Sequence, residues 1–124
     1  MARKMISLLL ILMMLCVSSA LAYSYDFEFE PPFVGSIEST SREPVTGNRP
    51  YVDPDGSAAE TVYFLSPTRH SSTTASNFIY RSSSSIGYFD YSGSYGGAGT
   101  LYCLSGYPSS MDFNAYTIGG SWAP

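Results

Sequence analysis

The chain has 124 residues and a formal net charge of −4, and its only lysine is Lys4. Past residue 22, four arginines face ten acidic residues, a formal charge of −6. That balance argues against nucleic acid, which demands a basic face to neutralise phosphates, and against a cationic membrane-disrupting peptide, since anionic lipid attracts basic segments.

Arg3 and Lys4 open the chain, the run from Met5 to Val17 is apolar except for Ser7 and Cys16, and small residues follow. This is the order of an export signal. Alanines at 20 and 22 in Ser19-Ala20-Leu21-Ala22 meet the small-residue requirement of signal peptidase, which places cleavage between Ala22 and Tyr23. The apolar core is shorter than the roughly 20 residues a spanning helix needs, and Leu15 before Cys16 is not the small residue that lipidation requires. Residues 1–22 are therefore read as a signal peptide and 23–124 as one secreted domain, extracellular or held in the periplasm or at the cell surface, with no later stretch able to span a membrane as a helix.

All 11 tyrosines, all 7 phenylalanines and the single tryptophan lie in the mature segment. Such a chain folds rather than staying disordered, and at this size it buries about 60–65% of its unfolded surface around one core. From Tyr23 to Glu30 the residues alternate, with Tyr23, Tyr25, Phe27 and Phe29 on one side and Ser24, Asp26, Glu28 and Glu30 on the other. Period-two alternation predicts a half-buried strand, which Pro31-Pro32 stops. A short strand is expected over 33–37. The stretch 38–60 carries Pro44, Gly47, Pro50, Pro54 and Gly56 among polar residues and reads as one long surface loop.

Beyond it, β-branched and aromatic runs recur at 61–65, 77–81, 86–91, 100–104 and 113–118, with turn chemistry between them and Gly119-Gly120 after the last. Short strands at such spacing predict an all-β fold, a single antiparallel β-sandwich or jelly-roll-like domain. No window shows the spacing of an amphipathic helix.

Cys16 leaves with the signal, so Cys103 stands alone and no intramolecular disulfide forms. It is either a buried small hydrophobe or a bond between two copies of the chain. His70 is the only histidine, and with Cys103 or a carboxylate it is the one route to a hydrolase. Against that route, reactive thiolates favour helix starts, whereas Cys103 lies in a strand between Tyr102 and Leu104. Asp53 and Asp55, with Glu60 following, offer hard oxygen ligands for calcium, although Pro54-Asp55-Gly56 is also an ordinary turn. Asp26, Glu28 and Glu30 lie about 7 Å apart along the first strand, in the range of glycosidase carboxylates, and equally suit a solvated outer face that keeps an edge strand from sticking.

Tyr88, Tyr91, Tyr95, Tyr102 and Tyr107 crowd one segment, several beside glycine. Exposed aromatics rimmed by serine and glycine make glycan-stacking or adaptable protein-binding surfaces. The mature segment holds no N-x-[ST] sequon, which fits a bacterial product. The reading is a secreted, non-enzymatic β-module without a cofactor that binds an extracellular protein, a glycan or itself. The alternatives are a small secreted effector, such as an antagonistic toxin or an inhibitor, and a hydrolase using His70.

Overall fold

The structure, a computed structural model, describes residues 22–31, 37–110 and 114–124. The export signal up to residue 21, most of the strand expected over 33–37 and Phe113 lie outside the described residues.

The described chain is all-β, with nine strands and no helix. They are β1 (Tyr23–Phe29), β2 (Glu38–Ser39), β3 (Glu43–Pro44), β4 (Tyr51–Pro54), β5 (Thr61–Ser66), β6 (Ile79–Arg81), β7 (Gly87–Tyr88), β8 (Leu101–Pro108) and β9 (Tyr116–Ala123). Two antiparallel sheets pack face to face as a β-sandwich. The first has the order β1-β9-β4-β7; the second runs β2-β8-β5-β6, with β3 also paired to β8. Only β5 and β6 are both consecutive and paired, so the sheets are built mainly from strands distant in the chain.

The core follows from the alternation of β1. Tyr25, Phe27 and Phe29 point inward, buried, while Ser24, Asp26 and Glu28 are exposed. Across the gap stand Tyr63 and Leu65 of β5, Leu104 of β8 and Ile79 of β6, with Val52, Ile118 and Trp122 completing the first sheet's inner face. Most of the core rings meet at an angle, with Phe27 and Tyr63 nearer to parallel. Tyr25 and Phe27 have centroids 5.0 Å apart, and Tyr25 meets Tyr63 of the opposite sheet edge-on at 5.7 Å. Such geometries suit the ring quadrupole, and burying each large side chain contributes about 1.5–3 kcal/mol. With no disulfide among the described residues, this packing holds the sheets together.

β8 continues to Pro108, past the run expected at 100–104 and through residues where turn chemistry was expected, and two further elements differ from the sequence reading. Gly119-Gly120, expected as a turn, lie inside β9, a central strand between β1 and β4. A Cβ at Gly120 would meet the Asp53 carbonyl oxygen and sit 2.9 Å from Pro54 Cα, and one at Gly119 would sit 2.9 Å from the Tyr25 carbonyl oxygen. Glycine is present here because neighbouring backbones approach closely, not because the chain turns. The stretch 38–60, expected as one loop, contributes β2, β3 and β4. These strands are only 2, 2 and 4 residues long, too short for periodicity to register, and their prolines fall where a sheet tolerates them: Pro44 on a strand at the sheet margin and Pro54 at the end of β4.

Candidate binding face

β5 is buried at all six positions, so both of its faces are covered. Tyr63 and Leu65 enter the core; Val62, Phe64 and Ser66 point to the outer face of the second sheet. Register extends this face in rows. Tyr80 of β6, Val62 and Tyr107 of β8 lie across one row, and Phe64, Ser105 and Ser39 across the next. Ser66 and Cys103 pair in a third.

At the first two rows the face is aromatic and open. The Phe64 ring meets Phe78 edge-on at 5.6 Å and Tyr107 at 6.1 Å. With Ile37 and Ser72 these rings line a groove of about 310 Å³. Phe78 is 44% exposed and Tyr80, beside it on the same face, 53%. Burial, with the nearby Tyr80, pushes the Tyr107 phenol up.

Polar groups occupy the next stretch, and they are internally satisfied. The backbone N–H of His70 donates to Ser39 Oγ (2.9 Å), Ser39 Oγ lies 2.8 Å from Ser105 Oγ, Ser105 Oγ lies 2.7 Å from Ser66 Oγ, and Ser66 Oγ donates to the Thr68 carbonyl (2.9 Å). A hydroxyl has one proton. With the Ser66 proton on Thr68, Ser105 must donate to Ser66 and Ser39 to Ser105, so the bonds run in one direction and fasten the 67–70 loop to the sheet. His70 adopts a left-handed backbone (φ 52°), uncommon for a non-glycine residue, and its Nδ1 donates to the Ile37 carbonyl at 2.7 Å.

Cys103 lies beyond the serines, wholly buried. Burial pushes its thiol up, while Arg42 and Arg69 nearby pull the other way. The thiol offers no surface through which two copies could bond without opening β8. His70 reaches the serine chain through its backbone, and its ring Nδ1 is engaged with the Ile37 carbonyl.

The tyrosines singled out by sequence fall in three places. Tyr88 is 43% exposed on the first sheet, with the Arg49 guanidinium 4.8 Å above its ring. Tyr91, Tyr95 and Tyr102 stack together around the β7–β8 connection, with Tyr102 buried, its hydroxyl accepting the Gly96 N–H at 2.7 Å and its ring 5.1 Å from Tyr91. Burial pushes the Tyr91 phenol up, and its hydroxyl has no hydrogen-bond partner among the described residues. Tyr107 alone belongs to the groove.

The calcium candidates do not converge either. Asp53 pairs with Ser121 within the first sheet, Asp55 and Glu60 are exposed, and among the described residues no three His, Cys, Asp or Glu side chains form a group able to hold a metal. Glu28 and Glu30 flank a separate cleft of about 430 Å³ with Tyr116 and Thr117. No described helix is long and apolar enough to cross a membrane.

Sequence reasoning missed Phe64, Phe78 and Tyr80. Their signal was present: the unbroken apolar run Val62–Leu65 implies burial on both faces, and Phe78 and Tyr80 flank Ile79 in alternation. No protein-family model, curated protein or solved structure matches the chain.

Proposed function

We propose that the chain is an exported, non-enzymatic β-sandwich that binds an extracellular ligand through the outer face of its second sheet. The observation carrying this reading is the asymmetry between the two outer faces. That of the first sheet is small and acidic along β1 and β9, with Ser24, Asp26, Glu28, Thr117 and Ser121, and its exposed ring, Tyr88, lies apart at the β7 edge under Arg49, whereas the second sheet gathers Phe78 and Tyr107 in one groove over the buried Phe64, beside the exposed Tyr80. Solvated sheet faces alternate apolar-in and polar-out, and contiguous exposed rings on one mark a contact surface. The leader-like start of the sequence supports export, and cleavage after Ala22 leaves Tyr23 as the first residue of the secreted form.

Retention on insoluble polysaccharides and on immobilised extracellular proteins tests the reading. Phe78→Ala and Tyr107→Ala are expected to abolish whatever retention is found, and Tyr88→Ala, on the other sheet, to leave it unchanged. Retention indifferent to Phe78 and Tyr107 would remove the groove as the binding surface.

A further inference from the structure

The four mature arginines are not equivalent. Arg49 caps the Tyr88 ring and lies 3.8 Å from Asp90. Arg81 donates to the carbonyls of Tyr80, Ser85 and Ile86. Arg42 and Arg69 make no ion pair or hydrogen bond among the described residues, and both are exposed. Both also belong to one place. Glu43 pairs with Tyr102, which sets Arg42 beside Cys103, and Arg69 lies in the loop that runs from Ser66, the partner of Cys103, across to Ser39. Two guanidiniums without partners among the described residues thus lie near Cys103 of β8, on the sheet that bears the aromatic groove.

From these positions we infer that the outer face of the second sheet takes an acidic polysaccharide, whose carboxylates meet Arg42 and Arg69 and whose ring faces stack on Tyr107 and Phe78. The inference rests on the binding reading above and specifies its ligand. Charge selects an anion, because guanidinium forks match carboxylate geometry. The rings select a flat partner with apolar faces. Distance selects a polymer: Cys103 and Tyr107 are four residues apart on one strand, about 13 Å at the rise of an extended chain, so a single sugar does not reach both ends.

Affinity electrophoresis through gels containing polygalacturonate or its methyl ester separates charge from ring. Polygalacturonate is expected to retard the protein strongly and the ester weakly, and the Arg42→Gln/Arg69→Gln variant to lose about tenfold in affinity for the acid, to the level of the ester. Tyr107→Ala is expected to abolish retardation in both gels. Thermal melts matching the parent confirm that these variants are folded, all three positions being exposed or half-buried. Equal retardation by acid and ester overturns the acidic ligand and leaves the groove standing. Retardation by neither overturns the inference while the wider retention screen still decides the binding reading, and retardation untouched by Tyr107→Ala and Phe78→Ala overturns both. A dimer in sedimentation that dissociates in the double arginine variant places a second copy on this face and also overturns it.

Discussion

The hydrogen bond between Tyr25 and Tyr63 spans the two sheets inside the core, and its removal has a distinctive arithmetic. The phenol oxygens are 3.0 Å apart, and the two residues are 5% and 0% exposed. Tyr25→Phe or Tyr63→Phe deletes one hydroxyl and leaves the other desolvated, at a cost of about 1–3 kcal/mol. The double variant removes both hydroxyls and keeps both rings, so nothing is left unpaired and the cost falls well below the sum, with a coupling of about 1–2 kcal/mol. For a domain of this size each kcal/mol shifts Tm by about 4–8 °C, so the single variants melt visibly lower and the double variant recovers much of the loss. Guanidinium unfolding followed by fluorescence of the fully buried Trp122 gives the three free energies. Additivity within about 0.5 kcal/mol would show that the two phenols act independently and would refute the reasoning.

Ser105 stands in the middle of the directed hydroxyl chain, and Ser105→Ala strands a donor on Ser39 and an acceptor on Ser66; the expected cost is about 2–3 kcal/mol, with faster hydrogen exchange at the His70 amide as the local readout. Gly120→Ala drives a methyl into the β4 backbone at Asp53 and Pro54, whereas Gly56 has nothing within 4 Å of a new Cβ; the first is expected to cost about 3 kcal/mol or more and the second to stay within about 1 kcal/mol of the parent, compared by denaturant midpoint. Burial raises the phenols of Tyr25, Tyr63 and Tyr91 above their ordinary value of 10.0. Their contribution to stability is therefore complete below about pH 10 and is lost as pH climbs beyond it, so phenolate absorbance from these residues should rise together with loss of the far-ultraviolet β signal, and full ionisation of all tyrosines in a still-folded protein would contradict it.

How much of this molecule the sequence made legible depends on whether each signal was longer than the window that reads it. β1 announced itself because seven consecutive residues alternate, and its buried and exposed faces are those the letters imply. β2, β3 and β4 did not, because a strand of two to four residues has no period of its own and exists through its partners in β8 and β9. Gly119 and Gly120 misled for a related reason: glycine serves both a turn and a close backbone approach, and only the strands on either side of β9 decide between them. The five tyrosines were grouped by nearness in sequence, yet strand crossings between the sheets sent them to three places, and Tyr107 found its companions in Phe64 and Phe78 instead.

The aromatic face of the second sheet arises from a mismatch that β5 imposes on the fold. A strand apolar on both sides must be covered twice. The first sheet covers Tyr63 and Leu65; on the other side, among the described residues, the segment between β5 and β6 lies over the sheet, and the hydroxyl chain through Ser39, Ser105 and Ser66 holds it down at one end. Toward Tyr107 and Tyr80 the rings of Phe78 and Tyr80 are exposed, while Val62 and Phe64 beneath stay buried. A sequence selected for stability alone would place polar residues there at little cost, since exposed positions tolerate substitution within about 0.5 kcal/mol. Aromatic rings kept on this sheet face, where stability alone does not require them, are the feature on which the proposed binding role rests.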